Sequence, residues 1–344
     1  YWLIKRNIKE VKIKIKLKSQ NGKLIKSQIQ IINQVKAFSI SVKKLLNQKN
    51  ISSTIIGSIE LEFFSKVDMV FPYPALVVNF EGKNSSTVVH TCGRIYNNKE
   101  DLKSNNKFKV AEAGIDILPN KNFKPFFSFV NGKNKIFNEK ISIQIINSNG
   151  EILSKQIKFD NIKPYETKFI YFLNNFEKKF LKNKKGTVKI KHNFSNFFPR
   201  FVSGNIENSK NNSTLTHTYY DTSKQNNNTT FWINPNTNKF FDSSVSFPLF
   251  KDKNTYTELV VYPNFPKWKL SFDLEIYSKM GKLKKKIKSV FKINKKLTKP
   301  IYLNINDFLE KSKNKFYYKD NHFVKLIANG NGKVPARLKF GLNL

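Results

Sequence analysis

Apolar and polar residues alternate along much of the chain. Val11-Lys12-Ile13-Lys14-Ile15-Lys16-Leu17-Lys18 puts every apolar residue on one side of an extended segment. Ile141-Ser142-Ile143-Gln144-Ile145 and Leu270-Ser271-Phe272-Asp273-Leu274-Glu275-Ile276 do the same. A period of two predicts half-buried β-strands. Each run leads into a turn dipeptide: Asn21-Gly22, Asn149-Gly150 and Met280-Gly281. Asn-Gly suits a two-residue type I′ hairpin, in which both central residues need positive φ. Ile29-Gln30-Ile31, Val188-Lys189-Ile190 and Leu259–Val261 are further short β-branched runs bounded by Asn, Gly or Pro. Three segments instead space apolar residues by three or four: Ser41–Leu46, Phe172–Phe180 and Ile305–Leu309. Each predicts one helical turn, with Asn306-Asp307 as the expected cap of the third.

The hairpin signals belong to a longer self-similarity. Asn21-Gly22 recurs at Asn149-Gly150, an offset of 128. Gly57-Ser58-Ile59-Glu60-Leu61 matches Gly186-Thr187-Val188-Lys189-Ile190, and Phe71-Pro72-Tyr73 matches Phe198-Pro199-Arg200. Ser86-Thr87-Val88-Val89-His90-Thr91 matches Ser213-Thr214-Leu215-Thr216-His217-Thr218. Val334-Pro335-Ala336-Arg337 is a weaker third copy, and the strand leading into each unit ends in Asn at Asn7, Asn131 and Asn264. Ordered matches at nearly the same offset predict an internal repeat. The expectation is an all-β protein of tandem antiparallel β-sandwich units, two near-complete and a truncated third, each with a short helical turn. The boundaries fall at 1–118, 119–250 and 251–344. Polar stretches at Asn97–Lys107 and Asp221–Thr230 read as exposed loops.

Within the second unit the order is a strand ending in Asn131, a long hairpin at Asn149-Gly150, the connection Ile162-Lys163-Pro164, a short helix and a Gly-led strand. This layout resembles the sensory-rhodopsin-transducer family of small β-sandwiches and immunoglobulin-like sandwiches generally. The resemblance covers about 100 residues per unit and implies a non-catalytic interaction module, with no site residues carried over.

Composition adds charge without naming a partner. Of 62 Lys+Arg only Arg6, Arg94, Arg200 and Arg337 are arginine, against 24 Asp+Glu, for a net charge of +38. Lysine, Asn, Ile and Phe in excess are what A/T-rich codons produce. Lysine on alternate strand positions reads as a solvated face, although it also supports salt-sensitive phosphate binding. Nucleic-acid sites favour Arg and concentrated charge, whereas these lysines are spread over the chain. Thirty-two Phe and 39% apolar residues exclude a wholly disordered polycation. One cysteine, Cys92, excludes an intrachain disulfide framework. Met69–Phe80 is too short and Pro-broken to span a bilayer. The first residue is Tyr1 and leaves a removed leader open, so the compartment stays open too.

Candidate chemistry gathers in a few places. Thr216-His217-Thr218-Tyr219-Tyr220-Asp221 brings an imidazole, two phenols and a carboxylate together, and on one strand His217, Tyr219 and Asp221 would share a face. Those groups suit a sugar contact, acid–base work or a half-buried structural histidine. The first unit's copy, His90-Thr91-Cys92-Gly93-Arg94, lacks the carboxylate. Arg200 and Arg337 occupy matching places after the Pro motif and read as ion-pair partners or anion contacts. Trp232, with Phe231, Tyr219, Tyr220, Phe240 and Phe241, forms an aromatic patch suited to inter-unit packing or to stacking on a sugar. No phosphate loop, dinucleotide fingerprint, hydrolase elbow or zinc motif occurs, and neither metal nor cofactor is expected.

Three functional classes follow. The first is a non-enzymatic tandem binding or scaffold protein whose partner is a saccharide, a protein or a polyanion. The second is a nucleic-acid-associated basic protein, such as a ribosomal or organellar accessory subunit. The third is an enzyme built on His217, Tyr219 and Asp221.

Overall fold

A computed structural model describes residues 10–34, 38–46, 56–66, 76–81, 86–90, 93–94, 112–118, 122–182, 184–194, 198–199, 201–207, 212–221, 223, 243–250, 256–264, 269–311, 322–330 and 340–343. The strands are antiparallel throughout these residues, and the all-β class holds.

The first part contains β1 (Val11–Ser19), β2 (Leu24–Ile32), α1 (Val42–Leu45), β3 (Gly57–Phe64), β4 (Val77–Glu81), β5 (Ser86–His90) and β6 (Gly93–Arg94). β1 lies between β2 and β3, and β4 pairs with β5. The alternation does what it promised: Val11, Ile13 and Ile15 are buried with Leu45 of α1 and Ile32, and Leu17 is buried as well. Two of the intervening lysines are less solvated than expected. Lys16 Nζ sits 2.5 Å from Glu62 and Lys18 Nζ 2.5 Å from Glu60, both carboxylates on β3. Lys18 is only 6% exposed and also lies over the Tyr165 ring, 3.2 Å from its centroid. A lysine on a polar strand position is drawn in where a cross-strand carboxylate neutralises it.

The second part comprises β7 (Glu112–Ile117), β8 (Phe123–Val130), β9 (Ile136–Asn147), β10 (Ile152–Ile162), β11 (Thr167–Tyr171), α2 (Asn175–Leu181), β12 (Gly186–Lys191), β13 (Phe198–Pro199), β14 (Val202–Glu207), β15 (Asn212–His217) and β16 (Tyr219–Tyr220). Its sheets, ordered β10-β9-β12-β7-β16 and β11-β8-β14-β15, enclose Phe127, Phe129, Ile141, Ile143, Ile145, Val188 and Phe201.

The third part contains β17 (Ser244–Leu249), β18 (Glu258–Val261), β19 (Leu270–Tyr277), β20 (Leu283–Ile293), β21 (Ile301–Asn304), α3 (Ile305–Lys311), β22 (His322–Gly330) and β23 (Phe340–Asn343). Its sheets run β17-β22-β19-β20 and β21-β18-β23 around Leu259, Val261, Phe272, Leu274, Val324 and Leu326. β7 and β17 precede positions 119 and 251, yet each pairs into the sheet that follows.

Two local expectations are corrected. The hairpin tips are not type I′ turns, because Gly22, Gly150 and Gly281 have positive φ but Asn21, Asn149 and Met280 do not. Gly22 N donates to Ser19 O at 2.9 Å while Ser19 N donates to Lys23 O at 2.8 Å. Asn147–Glu151 and Ser278–Lys282 repeat this pattern, which is a type I turn closed by a glycine bulge. Only the glycine then needs the left-handed region, so Met280 fits where Asn stands in the other two. The cap of α3 is Asn304, whose Oδ1 accepts from Asp307 N at 3.0 Å. Asn306 is buried in the first turn instead, accepting from Thr257 N at 2.8 Å and donating to Phe250 O at 2.6 Å.

Candidate functional site

His217 closes β15 opposite Val202 of β14 and is 9% exposed. Its Nδ1 lies 2.9 Å from the carbonyl of Thr218, a geometry that fits Nδ1–H donating and orients the ring. His90, exposed at the end of β5, stacks on it with ring centroids 4.4 Å apart and 27° between planes. The two His-Thr segments that the sequence placed in separate units therefore meet face to face. β5 reaches β15 through Thr87 Oγ1, which donates to Ser213 O at 3.0 Å.

The strand reading for Tyr219 and Asp221 fails at Thr218. That residue is fully buried, and its N–H still donates to Phe201 O at 2.9 Å, but the return bond from Phe201 N goes to Thr218 Oγ1 at 3.3 Å, which ends the ladder. Beyond it Tyr219 and Tyr220 pair with Ala113 and Glu112 of β7, in the opposite sheet. The chain crosses between sheets, so the alternation of faces does not carry through. Tyr219 keeps an edge contact with His217, centroids 5.0 Å apart at 65°. Asp221 is engaged elsewhere: its Oδ2 is 3.1 Å from Lys189 Nζ, and its Oδ1 accepts from Ser223 N at 2.9 Å. Lys189 also donates to Ser223 Oγ at 3.0 Å. Burial lowers the pKa of Lys189, and the Asp221 carboxylate opposes that shift.

Arg94 contributes backbone pairing to Phe198. Arg200, Arg337, Trp232, Phe231, Phe240, Phe241 and Cys92 lie outside the described residues. Among the described residues no three His, Cys, Asp or Glu side chains stand together as metal ligands. No helix there is long and apolar enough to cross a membrane.

Sequence reasoning missed a polar seam between the second and third parts. Tyr302 Oη donates toward Asp116 Oδ1 and Gly186 O, each at 3.2 Å. Asn343 Nδ2 bridges two carboxylates, Asp116 Oδ2 at 2.9 Å and Glu258 Oε1 at 3.0 Å. Lys185 Nζ is 2.5 Å from Glu258 Oε1. Desolvation pushes the Asp116 carboxyl up to about 6, against the lowering pull of Asn343, Lys185 and Tyr302. Members as far apart as Asp116 and Asn343 leave no local pattern, so nothing in the sequence could have flagged the seam.

A raised carboxyl means that the folded state holds a proton the unfolded state has released. Asp116 thus makes the fold less stable as pH rises from about 4 to about 6. His192, which burial pushes down to about 4, acts oppositely, its contribution being lost as pH falls through the same window. Asp116→Asn should therefore shift the stability profile so that the variant gains relative to wild type between pH 4.5 and 7. Urea midpoints at the two pH values check this, and a constant difference would contradict it.

No protein-family model matches the chain, and no curated protein matches it. Among solved structures it is similar to dimeric latent PorU from Porphyromonas gingivalis, at 8% identity and a TM-score of 0.21. That alignment covers 97% of this chain but 29% of the other, so the chain spans under a third of that protein's length. A likeness at this level carries no functional weight.

Proposed function

We propose that the chain is a non-enzymatic protein of tandem, immunoglobulin-like β-sandwich units that acts as a binding or scaffold module for a saccharide, a protein or a polyanion. The observation that carries this reading is the seating of one hairpin tip on the next unit. Gly22 comes so close to the second part that a Cβ there would lie 2.2 Å from Pro164 O, and Gln20 O accepts from Thr167 N at 2.8 Å. Gly150 approaches Thr298 and Lys299 of the third part, where a Cβ would lie 3.2 Å from that of Lys299. Both seats are connections that follow the second strand of the recipient's own long hairpin. The strand order β10-β9-β12-β7 also corresponds to β20-β19-β22-β17. Units joined in series, each bracing its neighbour, suit spacing and presentation of loops. The groups that suggested acid–base chemistry support the same reading, since Asp221 is committed to Lys189 and the His217 ring to the Thr218 carbonyl.

Screening the chain against glycans and candidate protein partners tests this, with saturable binding that survives moderate salt as the expected result. The net charge of +38 keeps nucleic acid as a second reading. RNA affinity that starts tight at physiological ionic strength and falls steeply with salt would favour it. His217→Ala should cost about 1–2 kcal/mol through the lost hydrogen bond and ring contacts. Loss of a catalytic turnover with stability unchanged would instead establish the enzyme reading.

A further inference from the structure

The seam between the second and third parts poses a hydrogen count that a proton on Asp116 resolves. Tyr302 Oη lies 3.2 Å from Asp116 Oδ1 and 3.2 Å from Gly186 O. A phenol has one hydrogen, and burial with the neighbouring Asp116 charge holds it on Tyr302. An ionised Asp116 and the Gly186 carbonyl are then two acceptors sharing that hydrogen. With a proton on Oδ1, Asp116 donates to Tyr302 Oη, and Tyr302 donates to Gly186 O. Both bonds are made at once. Asn343 needs no such change, because its Nδ2 has two hydrogens for Asp116 Oδ2 and Glu258 Oε1.

We propose that Asp116 holds a proton in the closed seam and that its ionisation eases the third part from the second, which makes the seam a pH-dependent latch. Asp116 and Lys185 come from the second part, and Glu258, Tyr302 and Asn343 from the third. With Asp116 neutral, the charges of Lys185 and Glu258 cancel across their 2.5 Å contact. Burial works against the Lys185 ammonium, but the bond to Glu258 leaves its pKa raised. Ionising Asp116 adds a negative charge with no further cation, beside a Glu258 carboxylate bonded to the same amide nitrogen. Also against Asp116 are Tyr262, whose pKa burial pushes well up, and Asn205, whose Nδ2 donates to Asp116 O at 3.1 Å. Tyr219 bears on Tyr262, and Tyr256 on Lys185. The carboxyl lies at about 6 in the seam against an ordinary 3.8, so release on opening shifts the closed–open balance up to about a hundredfold. The latch holds at acid pH and weakens as pH rises through about 6. It governs how two units sit together, whatever the chain binds.

Spin-label distances in the full chain, in a Cys92→Ser background, read the latch directly. Gln156→Cys on β10 and Lys292→Cys on β20 place labels at exposed positions of the second and third parts. Their distance distribution should be narrow at about pH 5 and broaden by about pH 7.5, with a midpoint near 6. A second pair, Gln28→Cys with Gln156→Cys, spans the contact of Gln20 O with Thr167 N, in which Asp116 takes no part, and should not change. Asp116→Asn keeps a donor and an acceptor without the charge, so its distribution should stay narrow at both pH values. Glu258→Gln removes the like charge and leaves Lys185 to Asp116, so the midpoint should move to lower pH. A wild-type distribution that ignores pH, a response that survives Asp116→Asn, an unmoved midpoint in Glu258→Gln, or equal broadening of the second pair would each overturn the proposal. The binding screen for saccharide or protein partners stands or falls separately.

Discussion

Asp221→Ala should destabilise the second part by roughly 3–5 kcal/mol, the cost typical of stripping the partner from a buried charge. Lys189 is 8% exposed and lies on β12 among fully buried Val188 and Ile190. With Asp221 gone, Ser223 Oγ is the remaining acceptor among its described contacts, and Lys191 and Lys296 add positive potential. Two controls separate this from a generic surface loss. Burial already holds the Lys189 pKa low, so in the variant the ammonium releases its proton more readily and the deficit should shrink as pH rises toward 10. Lys189→Met added to Asp221→Ala should recover most of the loss, because two apolar groups need no mutual charge. A deficit below about 1 kcal/mol, or one unaffected by the second substitution, would show that the ion pair is solvated rather than buried.

Phe127→Ala and Phe272→Ala should each cost about 3–5 kcal/mol, but in different cooperative units. Phe127 is wholly buried against Phe172 and Phe201, with centroids 5.9 and 5.6 Å away. Phe272 is wholly buried in the third part, stacked on Phe291 at 4.3 Å and edge-on to Phe340 at 5.9 Å. The two cores share no residue. Calorimetry should show each substitution lowering one transition by several degrees and leaving another nearly in place. A single transition shifted equally by both would mean that the polar seam around Asp116 fuses the parts into one unit.

Much of the fold was legible along the chain. Ile141, Ile143 and Ile145 are all completely buried, as a period of two requires, and the same holds for Phe272, Leu274 and Ile276. The helical turns fall where apolar spacing changes from two to three or four, and Asn174 adds a capping box with Glu177 at the start of α2. Legibility failed where a signal stopped being local. Asn21-Gly22 announced a hairpin, but the turn type follows from which residue the ladder leaves in the left-handed region, and that is the glycine alone. The lysines of β1 alternate as a solvated face would, yet Lys16 and Lys18 are taken up by Glu62 and Glu60 from a strand more than forty residues away.

The candidate site divided along the same line. The sequence by itself determined that strands, hairpins and short helical turns form, because side-chain alternation and turn chemistry act over a few residues. It also singled out His90 and His217 as corresponding positions. Only the tertiary structure decided that those two rings stack, that Thr218 carries Tyr219 into the opposite sheet, and that Asp221 turns to Lys189. The same packing sets Gly22 and Gly150 against neighbouring loops, while no described atom lies close to Gly281. A period of two fixes which face of a strand is buried and says nothing about which strand, sheet or chain will cover it.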